Sequence, residues 1–229
     1  MVSQYAAPSP RHGWTLVLPV QSSTRAKSRL EVPAGVDRPR LARAIARDSL
    51  AAVRATSAVA RVVVVTADDD LAAECAAAGD HVVRDSGRSL SDAVRRGVEV
   101  AQQLAADHPA AVLLADVPAL TPDELAAALE QAASRQLAVV PDAEGSGSVL
   151  LSAARPGLLQ PAFGGDSALR HEQRGAVRLD LDLPRLRRDV DTWAALTAAV
   201  ALGVGPATAA ALGGAVDLCP CGPAAGTAH

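Results

Sequence analysis

The chain is expected to fold as a doubly wound α/β domain, a mostly parallel sheet with helices on both faces. Three features of its 229 residues predict this. Short β-rich runs alternate with stretches of helical length. The runs are continuously apolar, as in Val62–Val65, where a sheet wetted on one face would alternate with polar residues. No low-complexity linker or internal repeat divides the chain, so residues 14–213 read as one domain between a disordered tail at 1–13 and a flexible tail at 214–229.

Taken in order, Trp14–Val20, Arg61–Thr66, His81–Arg84, Ala111–Ala115 and Leu137–Val140 read as strands. Between them, Pro39–Ala55, Asp69–Ala78, Ser91–Ala106 and Pro122–Ser134 have the Ala/Leu/Arg/Glu content of helices. The last is the most secure: Thr121 caps it, Pro122 takes its first position and Asp123 and Glu124 fill its first turn. From Pro141 onward Gly/Ser-rich turns intervene. There the sequence predicts strands at Ser148–Ser152 and Val177–Leu181, a short helix near Asp166–Arg174 and a terminal helix from Asp191. The uncharged stretch Thr192–Val216 is interrupted at Gly203-Val204-Gly205-Pro206, which predicts two short packed helices in place of a membrane span.

Composition excludes several classes. With 22 basic against 25 acidic residues, the chain lacks the positive excess that nucleic-acid binding needs. Aromatics are only 2%, so aliphatic packing must supply the core. Lys27 is the sole lysine among the basic residues, a compact point charge in a chain that otherwise uses guanidinium. Three cysteines, Cys75, Cys219 and Cys221, have no scaffold spacing and fit a reducing cytoplasm; the Cys-Pro-Cys tail offers too few ligands for a closed metal site. The N-terminus has no apolar secretory core. Cytoplasmic location is therefore expected, and both a monomer and a homodimer stay open.

Open parallel sheets bind ligands beyond the carboxyl ends of their strands, so residues following each apolar run are the first candidates. After the first comes a polar loop with Arg25, Lys27 and Arg29, suited to a triphosphate, though a solvated basic loop would read the same. It lacks the Walker spacing, and no dinucleotide Gly-x-Gly-x-x-Gly turn exists. After the fourth comes Asp116, followed by Pro118. With Thr121 already at the cap position, a divalent cation is the favoured partner of Asp116. Near the C-terminus Asp189 and Asp191, one residue apart in extended chain, would point to one side. Asp189 then reads as a second metal ligand and Asp191 as the cap of a helix over Thr192–Val200, with structural capping alone as the alternative. The clusters Gly145-Ser146-Gly147-Ser148 and Phe163-Gly164-Gly165-Asp166-Ser167 offer hydroxyls and bare N–H groups to an anion.

Ala26-Lys27-Ser28-Arg29-Leu30, Ala115-Asp116-Val117-Pro118-Ala119-Leu120, the two glycine-serine clusters with His171, and Asp189-Val190-Asp191-Thr192 together resemble a known family. It is that of the guanylyltransferases of coenzyme F-420 biosynthesis, related to molybdopterin and sugar nucleotidyltransferases, and the resemblance runs from Trp14 to about Ala211. It implies a nucleotide-diphospho-sugar-transferase-like fold. It also implies Mg²⁺-dependent attack by an acceptor phosphate on the α-phosphorus of GTP. Asp116 and Asp189 resemble the metal ligands, and Lys27 the catalytic cation. Arg25, Lys27, Arg29, Ser91 and Asp116 resemble GTP-binding positions, and Ser148, Gly164 and Ser167 acceptor-binding ones. Similarity to actinobacterial members implies phosphoenolpyruvate as acceptor, with 2-phospho-L-lactate the alternative. Ser91 stands where the family has asparagine, and Gly165 where proline is frequent. A nucleotide-binding module without turnover would not need both aspartates; the missing dinucleotide turn and Gly-x-Ser-x-Gly elbow argue against oxidoreductase and serine-hydrolase chemistry.

Overall fold

The computed structural model describes residues 13–20, 32, 35–87 and 89–213. Its strands are β1 (Trp14–Val20), β2 (Val59–Thr66), β3 (His81–Arg84), β4 (Ala110–Leu113), β5 (Leu137–Pro141), β6 (Ser148–Ala153) and β7 (Val177–Arg178), in one sheet of order β3-β2-β1-β4-β6-β5-β7. The pairs β1·β2, β1·β4, β2·β3 and β5·β7 are parallel. Only β6 runs antiparallel, to both β4 and β5.

The helices are α1 (Arg38–Ala55), α2 (Asp69–Ala77), α3 (Leu90–Ala105), α4 (Pro122–Ala132), α5 (Ser167–Gln173), α6 (Pro184–Arg187), α7 (Trp193–Leu202) and α8 (Pro206–Leu212). Their starts follow capping chemistry. Asp37, Asp68, Ser89 and Thr121 each accept a backbone N–H three residues on. Two short elements escaped the sequence, α6 and the 3₁₀ turn Pro156–Leu158, because single turns carry no periodicity. β7 is two residues long, not five: after Leu179 donates to Val139 the chain curls on itself, with Leu181 N–H donating to Leu179.

Alternate strand residues feed two cores, which is why the runs are apolar throughout. Leu16, Leu18, Val62, Val64 and Leu113 pack on one face against Leu50 and Val53 of α1, Leu71 of α2 and Leu125 and Leu129 of α4. Val17, Val63, Val65 and Val112 pack on the other against Ala93, Val94 and Ala101 of α3. A third cluster seats α7 and α8 on Leu41 and Ile45 of α1. The expected pair of short helices is thus present, and none of the described helices is long and apolar enough to cross a membrane.

One buried acid explains how α8 docks. Asp48 of α1, 6% exposed, accepts the N–H groups of Ala207 and Thr208 at 3.0 and 2.7 Å, capping a helix remote in sequence. Gly205 is required there because a Cβ would overlap the Asp48 carboxylate.

Candidate active site

The chain order places β1 centrally with β2 on one side and β4 on the other, and a cleft of about 500 Å³ opens at the carboxyl ends of β1 and β4. Pro19 and Val20 of β1, Ala42 and Ala46 of α1 and Leu90 of α3 line it together with Asp116, Asp142, Ser148, Gly164, Ser167, Asp189 and Asp191.

Asp116 leaves β4 into a turn held from three directions. Ser49 of α1, whose hydroxyl donates to the Ile45 carbonyl, accepts the Val117 N–H at 3.2 Å. The Pro118 carbonyl accepts from Gly205, and the Asp116 carbonyl accepts the Val190 N–H at 2.9 Å. That last bond sets the segment bearing Asp189 and Asp191 beside Asp116. Carboxylate oxygens of Asp116, Asp189 and Asp191 consequently lie within 4.8 Å of one another.

The expected pairing of Asp116 with Asp189 is met in space, and Asp191 joins them. The cap assigned to Asp191 belongs instead to Thr192, whose hydroxyl accepts the Ala195 N–H at 3.1 Å. The reason is a one-residue offset: α7 begins at Trp193, so Asp191 stands too far out to reach its first turn and faces the acid cluster. Asp142 went unnoticed in the sequence, although it follows β5 much as Asp116 follows β4. Its oxygens accept the N–H groups of Ser146 and Gly147 at 3.0 and 2.8 Å, and with Glu144 it lies within 4.8 Å of Asp189. Arg187 stitches the C-terminal segment to this turn, donating to the Asp142 carbonyl at 2.9 Å, while Arg188 pairs with Glu144 at 2.7 Å.

Such crowding of like charge has an electrostatic cost. Burial first, then Asp116, Asp191, Asp142 and Glu144, push the Asp189 carboxyl up to about 8. An all-oxygen set of this kind fits a hard divalent cation, which would offset that repulsion; it does not fit a soft metal. Without metal, folded Asp189 keeps a proton that the unfolded chain loses near pH 4. Stability should therefore fall as pH rises from about 4 to about 8. Asp189→Asn removes this slope, so in chelator its melting temperature should gain on the native protein progressively across that window. A pH-independent difference would contradict the assignment.

Ser148, at the start of β6, and Ser167, at the start of α5, 4% and 2% exposed, line the same cleft. Gly164 between them has φ +118°, and Asp166, with φ +51°, is the only described non-glycine residue in left-handed backbone. Ser91 is exposed in the first turn of α3, where Leu90 and not Ser91 forms the cleft wall. Arg25, Lys27 and Arg29, which follow β1, lie outside the described residues, as do Cys219 and Cys221. Cys75 of α2 is buried, with its thiol pushed up to about 11 by desolvation, an inert core position.

The model of the CofC-like guanylyl transferase family matches residues 14–181. A phosphoenolpyruvate guanylyltransferase of Streptomyces coelicolor is 48% identical over 200 residues, covering 86% of this chain and 94% of the relative. Among solved structures, a 4-diphosphocytidyl-2C-methyl-D-erythritol synthase aligns with TM-score 0.56 at 19% identity, over 84% of this chain and 99% of that one. A Mycobacterium tuberculosis H37Rv protein in complex with manganese aligns with TM-score 0.52 at 18% identity, over 81% and 96%. At such identities the structures establish the nucleotide-diphospho-sugar-transferase fold and nothing further. The sequence matches go beyond the fold: this chain belongs to the CofC-like guanylyltransferase family.

Proposed function

We propose that the protein transfers the GMP unit of GTP to phosphoenolpyruvate, releasing pyrophosphate and forming enolpyruvoyl-2-diphospho-5'-guanosine. One observation carries the reading: three carboxylates meet beyond the end of β4 in the same cleft that two buried serines line. Bringing two phosphates together requires positive charge between them and polar groups that hold each in line.

Asp116, Asp189 and Asp191 would hold the divalent cation, Mg²⁺ in this proposal. When bound, it neutralises charge on the phosphates. Ser148, Ser167 and the backbone at Gly164 bind the acceptor's anionic groups and orient its phosphate oxygen toward the α-phosphorus. A bond forms between that oxygen and the α-phosphorus, and the bond from the α-phosphorus to the bridging oxygen of pyrophosphate breaks. Lys27 stabilises the charge that develops on the leaving group, while Arg25 and Arg29 complete the nucleotide side.

Mixing the protein with Mg²⁺, each nucleoside triphosphate, and phosphoenolpyruvate or 2-phospho-L-lactate tests this. Product mass with pyrophosphate release is expected for GTP and phosphoenolpyruvate. Turnover only with 2-phospho-L-lactate would reassign the acceptor, and none with any phospho-acid would overturn the reading. Lys27→Ala should lower kcat by roughly ten- to a hundredfold while moving the acceptor KM far less. An unchanged kcat would remove Lys27 from this role.

A further inference from the structure

Ser148 and Ser167 both bring a hydroxyl to the acceptor wall, but Ser148 alone is wired to a buried imidazole. His171 of α5, 1% exposed, has both ring nitrogens engaged: Nε2 accepts the Ala162 N–H at 2.8 Å, and Nδ1 lies 2.9 Å from Ser148 Oγ. A neutral imidazole carries exactly one N–H. Since a backbone N–H points at Nε2, the proton must sit on Nδ1 and be donated to Ser148 Oγ. The Phe163 ring, edge-on with centroids 5.0 Å apart, packs against the imidazole and holds its plane.

That tautomer dictates what Ser148 does. A hydroxyl that already accepts from Nδ1–H has its own proton left to give, and Ser148 lines the cleft. We infer that His171 is a positioning residue, which fixes Ser148 as a one-way hydrogen-bond donor to an acceptor-only oxygen, phosphate or carboxylate, of the small acid substrate. The site therefore favours an anionic group at this point over one that must itself donate.

Charge at the imidazole is disfavoured by the same surroundings. Desolvation, then Arg174 and Arg170, lower its pKa to about 4, so the ring stays neutral near pH 7. A second proton on Nε2 would also face the Ala162 N–H.

The inference rests on the proposed acceptor side and is tested apart from it. In steady-state assays with GTP and phosphoenolpyruvate, His171→Leu, which removes the donor, should raise the acceptor KM roughly tenfold and leave the GTP KM unchanged. His171→Asn returns an N–H near the Nδ1 position and should recover most of that loss. Ser148→Ala should raise the acceptor KM similarly, and adding His171→Leu to it should do nothing more. Additive effects, equal rises in both KM values or no rescue by asparagine would reduce His171 to a packing residue and overturn the inference. The ring itself is read by nitrogen–proton NMR of the substrate-free native protein, which needs no turnover. A neutral ring with its proton on Nδ1 is expected; a proton on Nε2, or a charged ring at neutral pH, overturns the inference whatever becomes of the phosphoenolpyruvate assignment.

Discussion

Asp116→Asn is expected to cut nucleotidyl transfer by at least about a hundredfold while leaving the protein folded. The substitution keeps the side chain's size and half-buried setting but removes one of three charges meeting within 4.8 Å. A cation held by the remaining two would be bound more weakly and placed differently, and positional errors at a phosphoryl centre are costly. The backbone ties at this turn run through the Asp116 carbonyl, Val117 and Pro118, so they survive the change. Folding should even gain, because a source of repulsion on Asp189 is gone. Pyrophosphate release and a thermal melt on one preparation decide it. Undiminished release would remove Asp116 from catalysis, and a collapsed melt would make the residue structural.

The largest effect on stability is expected from Gly97→Val. Gly97 is where α3 touches the sheet: a Cβ there would overlap Val17 Cγ1 of β1 and approach Val65 Cγ2 of β2 to 2.9 Å. Both neighbours are completely buried, and a valine methyl is rigidly attached to its strand, so neither can swing aside. Over-packing at such a contact costs about 3 kcal/mol, which for a domain of this size lowers Tm by roughly 10 °C. Scanning calorimetry measures it. The smaller residue is doubly useful here, since glycine's poor helix propensity is outweighed by the close approach it permits.

Most of the frame could be read from the chain because the central strands share a single physical cause, apolar residues facing helices on both sides. Strands and helices from β1 to β6 fall within a few residues of their expected bounds. The ends were less legible. β7 and α6 are set by contacts with residues far away in sequence, such as the Leu186 N–H bond to Glu124 at 2.8 Å, and no local pattern encodes those. At the site, Asp116 and Asp189 stood out as acids in apolar or extended surroundings. Asp191 was misread because capping depends on which residue starts the helix, an uncertainty of one position that changes the side chain's role. Asp142 was passed over within a turn rich in glycine and serine, where an acid looks ordinary; only its two N–H contacts and its nearness to Asp189 distinguish it. The imidazole behind Ser148 could not be foreseen, since 23 residues separate the partners.

The reversed direction of β6 carries a last consequence. Ser148 pairs with Pro141 and Leu150 with Leu113, so the first residues of β6 and the last of β4 and β5 share one rim of the sheet. The connection between β5 and β6, residues 142–147, is a hairpin bend whose Asp142, Ser146 and Gly147 line the cleft. That bend is tied to its surroundings: Asp142 accepts the Ser146 and Gly147 N–H groups, Arg187 holds the Asp142 carbonyl, and the Ala168 N–H of α5 donates to Ser146, so altering it would shift Ser148, α5 and the acid cluster together.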